Sequence, residues 1–379
     1  MKIKKVCRLI VSLALDAAAR ICSVFAGLPP DLWLISERGF DARDNGYCFY
    51  KYLVEKHPEI RAVYAITPDS PDLERVRALG EWVAFGSFRH RVCMYGAQAL
   101  ISTHDCGFTP DMVLYHHRRK HGLFRPRGKI VLLQHGVLHT VIDWYSRAEC
   151  TPDLLITSTE AEARMLTERL GQPECVVRLT GMPRFDALDG SAAEKLILLM
   201  PSWRKYLVEL DGRRFAESDY CRQYAGLIGD ARMLRLLREN GYRLVFYPHV
   251  EMQRFYTPAR RGDVSVAAAD SADVQDLLRR CELLITDYSS VLFDAAYMGK
   301  AILFFQFDKD RFETEHYSKS LLDYSEFGEV CTTREALLDA LSAAITEKAR
   351  DRDDRRDCFK YHDRHNCDRV FEAIRELLR

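Results

Sequence analysis

Residues 283–294 read LLITDYSSVLFD. Leu283 to Thr286 form a short apolar, β-favouring run, and an amphipathic stretch begins near Val291 and stops at Gly299, ahead of another apolar run. The segment therefore reads as a buried strand handing over to a helix. Between them stand Asp287, Tyr288, Ser289 and Ser290. A serine at this point caps a helix, which accounts for one hydroxyl and leaves the second, and Asp287, without a job. A helix start also presents unpaired N–H groups and a positive dipole end, which favour phosphate. The residues alone leave both readings open, a helix cap and a phosphate cradle.

Working outward, the same alternation recurs. DLWLIS (31–36), RAVYAIT (61–67), EWVAFGS (81–87), QALIST (98–103), KIVLLQHG (129–136) and PDLLITS (152–158) read as strands, with helical segments such as GYCFYKYLVEKHP (46–58) and TEAEARMLTERLG (159–171) between them. A second series runs through EKLILLMPSW (194–203), ARMLRLLRENG (231–241), YRLVFYPH (242–249), DVQDLLRRC (273–281), ELLITDYSS (282–290) and KAILFFQFD (300–308). Segments 333–351 and about 360–379 read as helices. Apolar strands alternating with helices predict parallel sheets built from βαβ units. The tetrapeptide Leu-Leu-Ile-Thr occurs at 154–157 and again at 283–286, each time after an acidic residue. It agrees with two open α/β domains joined near Leu188–Glu194, a division the length of 379 residues also favours. In such sheets ligands bind at the carboxyl ends of strands.

Charge excludes little but directs attention away from nucleic acid, because 55 basic and 55 acidic residues cancel. The 12 cysteines are scattered, with no CxxC pair, and suit reduced thiols of a cytosolic protein rather than a disulfide framework or a zinc site. The first thirty residues differ from the rest. Lys5, Arg8, Ser12, Asp16, Arg20 and Ser23 recur at helical steps and form one narrow polar stripe on an otherwise apolar helix. Arg8, Asp16 and Arg20 interrupt both a transmembrane span and a signal peptide. Two readings remain: a helix in the membrane interface with its basic end toward anionic headgroups, and a helix packed on the protein's own surface.

Several strands end in polar groups: Gln134, His135 and Gly136; Ser202 and Arg204; His249; Asp287, Ser289 and Ser290. Arg184 and Asp186 close the first half. His135 precedes Gly136, which permits a sharp turn, and its near-neutral titration suits it to accept a proton if it faces a cleft. A lone histidine in such a place is more often structural, and the same holds for His249. Arg204 either neutralises a phosphate or pairs with a carboxylate. YHHRRKHG (115–122) reads as an exposed basic loop rather than a metal site. No GxGxxG, GxxxxGK[ST] or GxSxG motif is present, which disfavours dehydrogenases, phosphate-loop NTPases and α/β hydrolases.

Taken in order, LLQHG, TGMPRFDAL, PSWR, FYPH and CELLITDYSSVLFDAAYMGKAILFFQFD resemble successive motifs of the CDP-glycerol glycerophosphotransferases, the teichoic acid primase and polymerase family. LWLISERGFDARDNGYCFYKYL is similar to that family's entry to its first domain, so the resemblance runs from about residue 32 to 340. It implies a GT-B-like α/β architecture, two Rossmann-like domains with parallel sheets facing a central cleft. The expected division is an amphipathic membrane-interface helix (1–30), an acceptor domain (31–190), a CDP-donor domain (191–350) and a C-terminal helical segment (351–379). The resemblance also implies His135 as catalytic base. It implies donor contacts from His249, Ser289 and Ser290, with Asp287, Ser202 and Arg204 alongside. Where the family continues HGTPLK, this chain has VLHT (137–140). Gln134, Gly136 and His139 are therefore acceptor-side candidates, and the acceptor's identity is open.

The expected reaction moves a polyol phosphate, glycerol phosphate first, from a CDP-activated donor to a hydroxyl of a lipid-linked or polymeric glycan, releasing CMP. It would occur at the cytoplasmic face of the membrane. Mg2+ can assist such chemistry, although no compact carboxylate cluster demands a metal. The competing readings are a GT-B glycosyltransferase or epimerase that uses a nucleotide sugar, and a non-catalytic membrane-peripheral binding protein.

Overall fold

The computed structural model describes residues 2–123, 126–189, 193–268, 272–316, 320–346 and 353–379. The chain divides into two compact units. Unit 1 takes in residues 1–137, 143–187 and 363–379, and unit 2 takes in 138–142 and 188–362.

Unit 1 is built on strands β1 (Trp33–Ser36), β2 (Ala62–Ile66), β3 (Trp82–Ala84), β4 (Ala99–Ser102), β5 (Lys129–Leu132), β6 (Leu154–Thr157) and β7 (Val177–Leu179). They form one sheet in the order β3-β2-β1-β4-β5-β6-β7, all parallel. The chain runs one way from β1 and the other way from β4, so the topological switch lies between them, where open α/β sheets bind ligands. β1, β2, β4 and β6 are buried at every position, which explains their continuous apolar runs. One face packs Trp33, Ile35 and Ile101 against Phe49 and Leu53 of the Asn45–Lys56 helix and against Val370, Phe371 and Ile374 of the last helix, Asn366–Leu378. Each such side chain contributes roughly 1.5–3 kcal/mol by leaving water. The C-terminal helix, expected as a separate segment, is thus part of unit 1's core. Of the helix expected over 333–351, Arg334–Thr346 is observed and 347–351 lie outside the described residues.

Unit 2 carries β8 (Leu196–Leu199), β9 (Arg243–Phe246), β10 (Ala259–Arg261), β11 (Val264–Val266), β12 (Leu283–Thr286), β13 (Ala301–Phe305) and β14 (Glu329–Cys331). Their order is β10-β11-β9-β8-β12-β13-β14, parallel except for the β10–β11 hairpin. Here the switch lies between β8 and β12. β7, β10, β11 and β14 have only three residues each, too short for their periodicity to show in the sequence.

The first helix, Lys2–Phe25, packs on unit 1 the opposite way round from an ordinary surface helix. The middle of its polar stripe, Ser12 and Asp16, faces the protein: Asp16 is buried and pairs with Arg91 and, at 2.9 Å, with Arg118. Arg118 also donates to Ser12, and Arg8 pairs with Asp111 at 3.0 Å. Ile10, Val11, Ile21, Val24 and Phe25 face outward, the last two 76% and 83% exposed. The expected basic loop at 115–122 is instead largely helical, Met112–Lys120, because Leu114, Tyr115 and Arg118 turn inward at helical spacing. Among the described residues, no helix is long and apolar enough to cross a membrane.

Candidate active site

His135 lies just past β5 in unit 1. The sharp turn that presents it is made at Gln134, whose φ is +58°; Gly136 is not among the residues with positive φ. A side chain in that conformation costs roughly 1–2 kcal/mol, and the surroundings hold it there. Asn45 Nδ2 donates to the Gln134 carbonyl at 2.8 Å, while Gln134 Nε2 donates to the Ile156 carbonyl and to Glu162. Gln134 is fully buried. Its side chain holds the turn, and the acceptor contact expected of it does not fit.

His135 keeps a solvent-facing surface. Its main-chain carbonyl accepts from Arg184 Nη1 at 2.9 Å, and that nitrogen also pairs with Asp44 at 2.7 Å. Burial lowers the His135 pKa below the ordinary imidazole value; Asp44 opposes the shift, while Arg184 and Arg38 add to it. The ring lies parallel to that of His104, with centroids 4.6 Å apart and planes 9° apart. His104 follows β4 and Glu37 follows β1, so the two flank the switch point. Glu37 is buried and accepts from the main-chain N–H groups of Arg43, Asp44 and Tyr47, which fixes the start of the Asn45–Lys56 helix. Sequence reasoning missed Glu37, Asn45 and His104. The signal available for His104 was its place just after QALIST, the same strand-end position that drew attention to His135.

Asp105, Cys106 and His116 gather with ligand atoms within 4.8 Å of one another, which spacing in the sequence did not reveal. His116 Nε2 lies 3.7 Å from Asp105 Oδ2, and the His116 ring stands edge-on to Trp144.

In unit 2, Ser202, His249 and the Ser289–Ser290 pair follow β8, β9 and β12, three neighbouring parallel strands, and so share one edge of the sheet. Both serines of the pair are partly exposed. Ser289 Oγ accepts from Val291 N at 3.4 Å, whereas Ser290, at the cap position, makes no side-chain capping bond. His249 Nδ1 accepts from Glu251 N, which places the ring proton of the neutral form on Nε2. Its ring lies beside Trp203, and Trp203 meets His316 edge-on.

Two members of the expected donor set have other duties. Arg204 is fully buried and its five N–H groups are committed. It forms a fork with Asp308 at 2.8 and 3.0 Å, pairs with Asp287 at 2.9 Å and donates to the carbonyls of Ser202 and Trp203. A guanidinium so saturated does not reach a phosphate. Asp287, also fully buried, accepts from Ser202 N and Tyr288 N and from the Tyr224 hydroxyl. It orders the turn that carries the serines. His139 belongs to unit 2, where its ring bonds Ser320 and packs near Phe293 and Tyr324. Burial pushes its pKa down to about 4, so it is a poor acceptor-side base.

Residues 29–376 match the family described as CDP-glycerol:poly(glycerophosphate) glycerophosphotransferase. The chain belongs to this family. It is 29% identical over 367 residues to the minor teichoic acid biosynthesis protein GgaB of Bacillus subtilis (strain 168), covering 91% of this chain and 40% of GgaB. It is 26% identical over 205 residues to the teichoic acid ribitol-phosphate polymerase TarL of Staphylococcus aureus, covering 48% of this chain and 34% of TarL. The chain thus spans well under half the length of these relatives. Among solved structures, the wall teichoic acid polymerase TagF superposes with a TM-score of 0.69 at 16% identity, over 100% of this chain and 97% of that one. A UDP-GlcNAc 2-epimerase from Neisseria meningitidis does so with a TM-score of 0.53 at 10% identity, over 91% and 99%. At these identities the likeness is one of fold, and the fold is GT-B-like.

Proposed function

We propose that this glycerophosphotransferase-family chain transfers a polyol phosphate, with glycerol phosphate the first choice, from a CDP-activated donor to an acceptor hydroxyl, releasing CMP. The observation that carries the reading is the shared placement of Ser202, His249, Ser289 and Ser290 after neighbouring strands of unit 2. In this reading the donor's diphosphate lies against the two serines and His249 Nε2–H. His135 takes the acceptor's proton as oxygen attacks the β-phosphorus, and the bridging oxygen leaves with CMP. Positioning and charge neutralisation do most of the work in such a transfer. Asp287 and Asp308 are tied to Arg204. No step of this reading is routed through a metal.

The acceptor in this reading is a lipid-linked or polymeric glycan, met at the cytoplasmic membrane face. Support comes from the first helix: Ser12 and Asp16 are engaged inward while Ile10, Val11, Ile21, Val24 and Phe25 face outward, and the basic start of the sequence suits anionic headgroups.

The test is CMP release from CDP-glycerol and CDP-ribitol by wild type, His135→Ala and the Ser289→Ala/Ser290→Ala double variant, with a membrane lipid extract as acceptor. Acceptor-dependent release that both variants lose supports the reading. Transfer from a nucleotide sugar, with neither CDP-polyol used, would replace it with a GT-B glycosyltransferase.

A further inference from the structure

We propose that His104 is a positioning residue for His135, its imidazole forming the face against which the His135 ring is stacked and oriented for proton transfer. The inference rests on the reading of His135 as the base.

The arrangement is set by the sheet. β4 and β5 are adjacent, with Ser102 opposite Leu132, and each strand delivers its histidine within three residues of its end. The parallel rings, 4.6 Å between centroids, have the separation of an offset stack. His104 is itself anchored. Its Nδ1 lies 3.0 Å from Thr103 Oγ1, its main-chain N–H donates to Ser102 Oγ, and that hydroxyl donates to the His104 carbonyl at 2.6 Å. Catalytic histidines are commonly oriented by a carboxylate or carbonyl that accepts from one ring nitrogen. Among the described residues His135 has no such partner; the His104 face is what its ring meets.

The stack also suits the chemistry. In the proposed reaction a P–O bond forms from the acceptor, the P–O bond to CMP breaks, and the acceptor's proton passes to His135. The resulting imidazolium lies over a ring whose π face attracts cations. That requires a neutral His104, and burial, with His135 and Arg38 contributing, holds its pKa down to about 2. The charged and titratable groups facing His135 are His104 past β4, Arg38 past β1, Asp44 before the Asn45–Lys56 helix and Arg184 of the 183–187 turn.

The experiment compares wild type with His104→Ala and His104→Phe. It measures kcat and KM for CDP-glycerol, the pH dependence of kcat/KM, and the NMR titration of the His135 ring in the resting protein. His104→Ala should lower kcat about 10- to 100-fold, leave the donor KM within about twofold, and move both the His135 titration and the acid limb downward, because the imidazolium loses the π face that favours it. His104→Phe keeps a flat ring and should recover most of kcat, a rescue that a loss of folding would not show. An unchanged kcat in folded His104→Ala, or equal damage in the Ala and Phe variants, overturns the proposal. If wild type releases no CMP from any CDP-polyol while the His135 titration still moves on replacing His104, the base reading is what fails, and the proposal falls with it.

Discussion

Arg184 holds the main-chain carbonyl of His135 at 2.9 Å while pairing with Asp44 at 2.7 Å, and its own N–H donates to Asn45 Oδ1. Asn45 in turn holds the Gln134 carbonyl. The histidine loop is therefore clamped by a planar, forked cation that lysine cannot imitate. Arg184→Lys should lower kcat about ten- to a hundredfold through misplacement of His135 while leaving the donor KM nearly unchanged. Steady-state CMP release at varied CDP-glycerol checks it.

Arg204 should behave as a folding residue. Removing it leaves Asp287 and Asp308 as buried carboxylates without their cation, a change that costs about 3–5 kcal/mol in comparable cases. Arg204→Ala should show a large drop in Tm by calorimetry. A folded variant with normal Tm and only a raised donor KM would return Arg204 to the phosphate-contact role.

The two serines can be told apart. Ser289 accepts a long bond from Val291 N, so Ser289→Ala should lose about 0.5 kcal/mol of stability. Ser290 makes no capping bond, and Ser290→Ala should leave Tm unchanged. Both should raise the KM for CDP-glycerol, Ser290→Ala without the stability change. A normal donor KM in both variants would leave the pair as a structural turn.

The outward face of the first helix should be dispensable for folding and needed for lipid. Val24→Asp/Phe25→Asp should leave Tm unchanged and abolish flotation with vesicles rich in anionic lipid. Asp16→Ala should instead destabilise the protein, because Arg91 and Arg118 lose their shared carboxylate. Flotation of the Asp double variant equal to wild type would rule out the membrane reading of this helix.

Acid should weaken the fold early. His90 and His316 are buried, and burial holds both pKa values down to about 3. The unfolded chain takes up protons at these histidines near pH 6.5, whereas the folded chain does not until near 3. Stability is full above 6.5 and falls between those limits, by about 1.4 kcal/mol per pH unit for each histidine once the unfolded form is charged. Urea unfolding at pH 7.5 and 5.5 measures the slope, and His90→Asn should make it shallower.

The stretch LLITDYSSVLFD shows why the fold was legible. Strands buried on both faces read as unbroken apolar runs, and the handover to a helix is marked by local chemistry that needs no distant partner. His135, His249 and the serines could be found for the same reason, since strand ends are visible in the chain. Arg204 could be read only as far as two alternatives, phosphate or carboxylate, because the partner that decides between them, Asp308, lies more than a hundred residues later. The first helix carries the same lesson, because periodicity defines a polar stripe without saying which way it points, and only Arg91 and Arg118 turn it inward. The sequence by itself determined the longer strands and most helices, the parallel α/β class and the family, all set by local pattern and motif order. Tertiary structure alone decided which polar groups are consumed by one another and which stay presented, including the His104–His135 stack, because pairing of buried charges and rings depends on contacts between segments far apart in the chain.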